Sequence, residues 1–452
     1  MKKNDRYKNK EILILGLAKS GTAAAELLIQ LGAKVTVNDQ KPIEDNKEAQ
    51  KLEKLGAVVV CGSHPLDLIH SRLDYVVKNP GIRYDNPLVE KAIALNIPVI
   101  TEIELAYQIS ECEIIGITGS NGKTTTTTYI YEMLKGSKNQ PLLAGNIGEV
   151  ACEVAQNATE NNILVTELSS FQLMGIEQFH PKYSVLLNII DAHLDYHGTM
   201  ENYIEAKGNI FRNQSREDYM IYNADDEVVS RVASNGQAKG IPFSTEKSLE
   251  DGACIKNGNL TIFGEKLIPI EEMSLPGEHN ISNGLAAAAT AYLAGASIEE
   301  ICHVLKTFTG VKHRLQFVDE IEGRSFYNNS KATNVSATIT ALKAFDKPIV
   351  LIAGGLDRGL SFDDLIPYFQ KRVKAIVTYG ETADKIAAAA GIAKVPTINT
   401  VNTLEEAVNV GYKNSHSGDV ILLSPACASW DQFKTFEERG DIFIDAVKKI
   451  VL

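Results

Sequence analysis

Three observations predict an α/β fold built as three domains. Short β-branched runs alternate with helical segments through the first hundred residues. A Gly-rich turn joins a strand to a helix at residues 16–21 and again at 119–125, and the same alternation returns after residue 313. The length agrees, since 452 residues at roughly 150 per domain suggest about three. The domains are expected at 1–106, 107–312 and 313–452.

In the first domain, strands are expected at 11–15, 34–38, 74–77 and 98–101, with a helix at 22–31. Gly16-Leu-Ala-Lys-Ser-Gly21 follows the first strand and Asp39 ends the second, which is the layout of a Rossmann-like domain. The middle position of G-x-G-x-x-G is Ala18, where a glycine would let backbone approach a pyrophosphate. The motif therefore leaves two readings open: a nicotinamide or flavin cofactor, or the same turn used for another ligand or for packing.

The second domain opens on the apolar strand 114–118, followed by Gly119-Ser-Asn-Gly-Lys-Thr-Thr125 and a helix starting near Lys123. Consecutive backbone N–H groups of Gly119, Ser120, Asn121 and Gly122, together with the positive helix end, suit phosphate oxygens. Lys123 reaches terminal phosphates, and the Thr124 hydroxyl, with Thr125 beside it, suits Mg²⁺. The full spacing G-x-x-x-x-G-K-[ST] would need glycine at 117, which is Ile117, so this is a shortened P-loop in a P-loop ATPase-like domain. Magnesium needs hard oxygen ligands, and Glu167 ends a buried-type strand at 163–167 beside this loop. A further strand at 183–188 runs into Asp191-Ala-His193-Leu-Asp-Tyr-His197. The two histidines lack the zincin Glu, and Gly198 follows directly, so one histidine at the mouth of a phosphate site is preferred to zinc.

An Ala-rich helix at 283–293 and an amphipathic segment at 298–308 precede the third, again Rossmann-like, α/β domain, with strands at 349–353, 375–379 and 420–424.

Composition excludes several classes. Hydrophobic residues make up 44% and charged residues 23%, which argues against a disordered or collagen-like chain. The formal charge is 45 − 57 = −12, a poor match to a nucleic-acid coat or an anionic membrane, so no nucleic-acid partner is expected. The 6 cysteines are scattered with no C-x-x-C pair, which points to reduced thiols in a cytoplasmic protein. The apolar stretch 285–296 falls short of the ~18 residues that span a bilayer, so no membrane insertion is expected. The apolar run 12–18 contains Gly16 and meets Lys19 at once, as a strand entering a turn does and a signal peptide does not.

The P-loop, Gly145-Asn-Ile-Gly148, Glu167-Leu-Ser-Ser-Phe-Gln172, residues 188–193, Lys207, the 275–280 run Leu-Pro-Gly-Glu-His-Asn, His313-Arg314, Ser330-Lys-Ala-Thr-Asn334 and the 423–433 run Leu-Ser-Pro-Ala-Cys-Ala-Ser-Trp-Asp-Gln-Phe together resemble the Mur ligases. Within that family the likeness is to the branch that adds D-glutamate to UDP-N-acetylmuramoyl-L-alanine. The diaminopimelate-adding signature Asp-Asn-Pro-Arg is absent, Asp85-Asn-Pro-Leu88 being only a partial match.

The resemblance implies an ATP-dependent amide ligase working through an acyl phosphate. It implies that Thr124 and Glu167 hold a first Mg²⁺, that Glu167, His193 and Lys207 serve a second, and that Lys207 reacts with CO₂ to form a carbamate. By spacing alone Lys207 reads as a surface lysine on a helix. ATP is expected to meet Asn280, Arg314, Asn329 and Lys331; Asn329 stands where the family usually has an acid that grips ribose. D-Glutamate is expected at Thr333, Ser429, the backbone near Phe436, and Arg358, which replaces a lysine of some relatives. The uridine diphosphate end is expected near Gly16, Leu17, Ala18, Lys19, Asp39 and Gly81, and the muramoyl-alanine end near Asn146, Ser169 and His193. The alternatives are another Mur or folylpolyglutamate-type ligase, an NAD-dependent oxidoreductase using only the first domain, and a P-loop switch that hydrolyses nucleotide without an amino-acid substrate.

Overall fold

The computed structural model describes residues 5–275, 277–359 and 361–450; Pro276, within the 275–280 run, lies outside them. The chain forms two units, one running to Phe308 and one starting at Thr309.

The first unit carries two sheets. The strand Glu11–Leu15 lies at the centre of a five-stranded parallel sheet, with Lys34–Asp39 and then Val58–Cys61 on one side and Tyr75–Lys78 and then Val99–Ile100 on the other. Ile12 and Ile14 face one apolar cluster while Leu13 and Leu15 face another. A strand buried on both faces needs an unbroken apolar run, which is why 12–15 shows no polar alternation. The following helix spans Lys19–Gln30 and starts three residues earlier than expected, because the turn at 16–18 feeds it directly. Gly16 has φ +84°, and a Cβ on Gly21 would lie 1.9 Å from the Gly16 carbonyl oxygen, so only glycine closes this turn.

The second sheet has nine strands. Its parallel core runs, in spatial order, Tyr219–Asn223, Tyr183–Leu186, Glu113–Thr118, Asn162–Glu167 and Gln140–Gly145. Glu167 is in register with Ile117 on one neighbour and Gly145 on the other. The carboxyl ends of three adjacent strands therefore meet at one edge, where open α/β sheets bind ligands. Beyond Tyr219–Asn223 lie Lys239–Ser244 and an antiparallel meander, Ala253–Lys256, Asn259–Ile262 and Glu265–Pro269. The Ala-rich helix spans Glu278–Leu293, beginning five residues before the expected start.

The helix Glu102–Ile109 joins the two sheets and buries two acids. Glu104 accepts backbone N–H bonds from Glu177, Gln178 and Phe179 at 2.9 to 3.1 Å. Glu102 accepts longer bonds from Cys152 N–H (3.2 Å) and Gln172 Nε2 (3.3 Å). Burial, the largest influence, pushes its carboxyl up to about 7. Between the ordinary carboxyl value and about 7 the folded chain keeps a proton that the unfolded chain has lost, so this group lowers stability as pH rises through that window. Urea unfolding of Glu102→Gln against the parent should show the difference shifting toward the variant by about 3 kcal/mol between pH 4.5 and 8. A pH-independent difference would contradict this.

The second unit holds a six-stranded sheet. An antiparallel hairpin, Gln316–Ile321 with Arg324–Asn328, leads into the parallel strands Val420–Leu423, Ile349–Gly354, Val373–Tyr379 and Thr397–Thr400. Its core lies on both faces of Ile349–Gly354. Among the described residues no helix is long and apolar enough to cross a membrane.

Candidate active site

The helix Lys123–Leu134 begins at Lys123, as the sequence suggested, on an N-cap at Gly122 with φ +82°. A Cβ on Gly122 would lie 2.3 Å from Asn283 Oδ1. The loop is held from outside by Asn188, whose carbonyl accepts from Ser120 N–H (2.9 Å) and whose Oδ1 accepts from Asn121 N–H (2.8 Å). Ser120 Oγ donates to Ile190 O (3.0 Å) and pairs with Tyr203 Oη at 3.0 Å. Lys123 Nζ donates to the carbonyls of Gly119 and Ser120, both at 2.9 Å. Thr124 is buried at the first turn, and Thr125 beside it is half-buried.

Beside this loop sit a buried acid and a buried lysine. Glu167 is 1% exposed; Oε1 accepts from Asn146 Nδ2 at 2.6 Å, while Oε2 is buried with no hydrogen-bond partner among the described residues. Asn146 also donates its N–H to Glu167 O (2.9 Å), and a Cβ on Gly145 would lie 2.4 Å from that same oxygen. Lys207, on the helix Met200–Gly208, is 2% exposed and donates to Gly119 O at 2.8 Å, with its ammonium 4.7 Å from the Tyr203 ring centre. Desolvation, then the nearby Lys123 charge, push it down to about 6. A neutral amine is a nucleophile where an ammonium is not.

His193 sits in the left-handed region (φ +57°) before the short helix Leu194–His197, its ring edge-on to Phe171 at 5.2 Å. It is exposed. His197 is instead buried, stacked on Phe171 at 5.3 Å and paired through Nε2 with Ser170 Oγ at 2.9 Å. Burial pushes it down to about 4, a core histidine rather than a ligand. Ser169 is the N-cap of the helix Ser170–Leu173 in a reciprocal capping box with Gln172.

In the first domain Asp39 shapes the turn, its carboxylate accepting from Leu17 N–H (2.7 Å) and Lys41 N–H (2.9 Å). Leu17, Ala18, Lys19 and Asp39 line an open cavity of about 770 Å³ together with Gly148, Glu149, Val150 and Glu153 of the second domain. Gly81 N–H donates to Asn79 Oδ1 (3.1 Å), and Asn79 Nδ2 donates to Ser20 Oγ (3.2 Å), so the 79–81 turn leans on the 16–21 turn.

In the second unit, Ser330 to Thr333 and Cys427 to Ser429 form two neighbouring turns tied by Arg439, which is fully buried. Its Nε donates to Ser330 Oγ (2.9 Å) and its Nη2 to Ser330 O (2.8 Å) and Cys427 O (3.1 Å). Ser330 Oγ donates to Phe436 O at 2.8 Å, and Lys331 Nζ lies 5.3 Å from the Phe436 ring centre. Asn329 turns its amide inward: Nδ2 donates to Ser424 Oγ (3.1 Å) and Oδ1 accepts from Leu315 N–H (3.2 Å), leaving one N–H and one lone pair for a ligand. Ser429 is buried, Thr333 half-buried and Arg314 exposed. Arg358 is exposed, with its guanidinium 4.8 Å over the ring of Trp430. Asn280 is half-buried in the first turn of Glu278–Leu293.

Asn188 stands in the sequence only as part of the 188–193 run, and nothing in the sequence marks Tyr203 or Arg439. Each acts through contacts made by distant segments, which spacing does not show.

Three family models match in succession: Mur ligase MurD-like, N-terminal domain, over residues 10–101; Mur ligase middle domain over 117–291; and Mur ligase, glutamate ligase domain, over 313–427. Over 451 residues, covering 100% of each chain, the protein is 60% identical to the UDP-N-acetylmuramoylalanine–D-glutamate ligase of Geobacillus kaustophilus and 59% identical to that of Bacillus cytotoxicus. Among solved structures it is similar to a UDP-N-acetylmuramate–alanine ligase from Thermotoga maritima (TM-score 0.55, 20% identity, 97% of this chain and 99% of that one). It is also similar to a MurF ligase from Thermotoga maritima in complex with ADP (TM-score 0.53, 15% identity, 99% and 97% covered). These two likenesses show the shared three-domain fold. With all three domain models matched and full-length relatives at this identity, the chain belongs to the Mur ligase family.

Proposed function

We propose that this ligase joins D-glutamate to UDP-N-acetylmuramoyl-L-alanine with ATP, giving ADP and phosphate, as a cytoplasmic step of peptidoglycan precursor synthesis. The observation that carries the site's part is the meeting of Lys123, Lys207 and Glu167 around one phosphate-cradling turn. The full-length relatives named for this reaction support the choice of substrates. Residues 1–106 would take the nucleotide-sugar, 107–312 the ATP phosphates, and 313–452 the adenine side of ATP and the glutamate.

In this reading a carboxylate oxygen of the alanyl substrate attacks the γ-phosphorus and ADP leaves. The D-glutamate amine then adds to the acyl carbon and loses a proton, and phosphate departs. Both steps gather negative charge in one place, so placement and electrostatics carry the catalysis. Lys123 would neutralise the transferred phosphoryl oxygens. Asn146 orients Glu167, and His193 faces the reacting end. Thr333, Ser429, Arg358 and the Phe436 backbone would hold the two glutamate carboxylates, the planar Arg358 fork suiting one of them.

Magnesium fits these residues. Glu167 Oε2 is a buried carboxylate oxygen without a partner, which a cation would satisfy, and the Thr124 hydroxyl stands at the first turn of the same loop. Among the described residues no three His, Cys, Asp or Glu side chains cluster as a metal cage, so any ion here would rely on few protein ligands. Bound magnesium would supply neutralisation of phosphate charge. Lys207 would complete the set as a carbamate: the neutral amine adds CO₂ and releases a proton, replacing a donor by anionic oxygens. A nicotinamide enzyme would leave this site idle, and neither the site nor the relatives support that alternative.

The test is phosphate release with UDP-N-acetylmuramoyl-L-alanine, ATP and a panel of amino acids. Turnover with D-glutamate alone is expected; turnover with L-lysine or L-glutamate and none with D-glutamate would overturn the reading.

A further inference from the structure

The strand Tyr75–Lys78 ends in a lysine that is 1% exposed and has no carboxylate partner among the described residues. Taking an ammonium out of water is costly even after relaxation, and a methionine would fill the same space without that cost. The three N–H donors of Lys78 are all used. They go to Ile82 O at 2.8 Å, Tyr196 Oη at 3.2 Å and Pro80 O at 3.3 Å. The ammonium lies 4.7 Å from the Tyr84 ring centre and 6.0 Å from that of Tyr196. Tyr196 Oη in turn lies 2.8 Å from Ile82 O and 3.1 Å from Pro80 O, so phenol and ammonium share two carbonyls of one turn.

That turn and that tyrosine belong to different domains. Residues 80–82 pack on the Gly16 turn, where a Cβ on Gly16 would lie 3.1 Å from both Asn79 Cβ and Ile82 Cδ1. Tyr196 lies on the helix that follows His193, its ring 4.3 Å from Phe171, which meets the His193 ring at 5.2 Å. A second tie runs parallel, Arg83 Nη1 donating to Asp195 O. A substrate whose nucleotide end lies on one domain and whose reacting end lies on the other needs a fixed distance between them.

We propose that Lys78 is a positioning residue, a clasp that fixes the 79–82 turn of the first domain against the His193 segment of the second and so sets the span over which the nucleotide-sugar substrate is bound. The inference rests on the function proposed above. Burial pushes Lys78 down to about 7, in keeping with an amine whose charge is costly at this position and which is held there by its directional bonds.

The experiment uses the full-length enzyme and calorimetric binding of UDP-N-acetylmuramoyl-L-alanine and of ATP separately, with steady-state kinetics beside them. Lys78→Met should weaken nucleotide-sugar binding about tenfold, leaving the Kd for ATP within about twofold and kcat within about threefold, because the lost contacts serve binding rather than the transition state. Tyr196→Phe, which removes one hydroxyl and keeps the ring, should shift the same constant in the same direction. The double variant should bind within about twofold of Lys78→Met, since the two groups act on the same carbonyls. Nucleotide-sugar binding unchanged in both single variants overturns the inference, as does ATP binding weakened as much as nucleotide-sugar binding, the mark of a merely structural lysine. A parent enzyme that binds the nucleotide-sugar but releases no phosphate with D-glutamate would overturn the function proposed above, while Lys78 is still judged on the binding constants.

Discussion

Lys207→Ala should lower turnover by about a hundred- to a thousandfold, the size of effect seen when a single charge-stabilising group is removed from a reaction centre. The residue is buried against Gly119 O between Lys123 and Glu167, and desolvation holds it near 6. In the proposed role, an amine held that low is mostly in the neutral form that adds CO₂ at physiological pH, and protonation as pH falls through about 6 would remove that form. Turnover should then fall in CO₂-depleted buffer, and more steeply as pH drops through about 6. The linkage sign is the reverse of Glu102: between about 6 and the ordinary lysine value the unfolded chain binds the extra proton, so this group's contribution to stability rises with pH. Short carboxylates such as formate should restore part of the lost rate in Lys207→Ala. A folded Lys207→Ala enzyme with full activity would remove Lys207 from the chemistry.

Arg439→Met should reduce kcat/KM for D-glutamate about a hundredfold, leaving nucleotide-sugar binding unchanged. Arg439 touches none of the residues expected at glutamate through their side chains; it holds Ser330 and Cys427, the anchors of the turns bearing Lys331, Thr333 and Ser429. Displacing such residues by about 1 Å is enough for a loss of that size. Arg439→Lys should rescue little, because three bonds leave the guanidinium in fixed directions that a point charge cannot reproduce. Glutamate kinetics within about twofold of the parent in Arg439→Met would show that the turns hold themselves.

The parts of this site that sequence made legible are those coded locally. Gly119 and Gly122 followed by Lys123 fix a strand, a turn and a helix start within a few residues, and Glu167 is marked by standing at the end of an apolar strand. Lys207 shows no such mark, since its helix has a lysine where many surface helices do; resemblance, not spacing, singled it out. Lys78 was hidden for a stronger reason. It closes a strand in which Val76 and Val77 are buried, and the tyrosine that completes its surroundings lies 118 residues away. Three hairpins are also written locally in the sequence. Asn257-Gly258, Phe263-Gly264 and Glu322-Gly323 all have two successive positive φ values, the mark of tight hairpin turns, and each joins two short strands. The Asn-Gly pair in particular is a strong local hairpin signal.

The contact between Arg358 and Trp430 has an optical consequence. Trp430 is the single tryptophan of the chain; the residue is 65% exposed, with the Arg358 guanidinium over its ring. Emission excited selectively from tryptophan therefore arises at one place, in the second unit, next to Ser429. The first unit, with its P-loop and Glu102, is dark in that channel. The enzyme thus carries a native fluorophore whose intensity would register a carboxylate drawing Arg358 off the indole face, with no label attached.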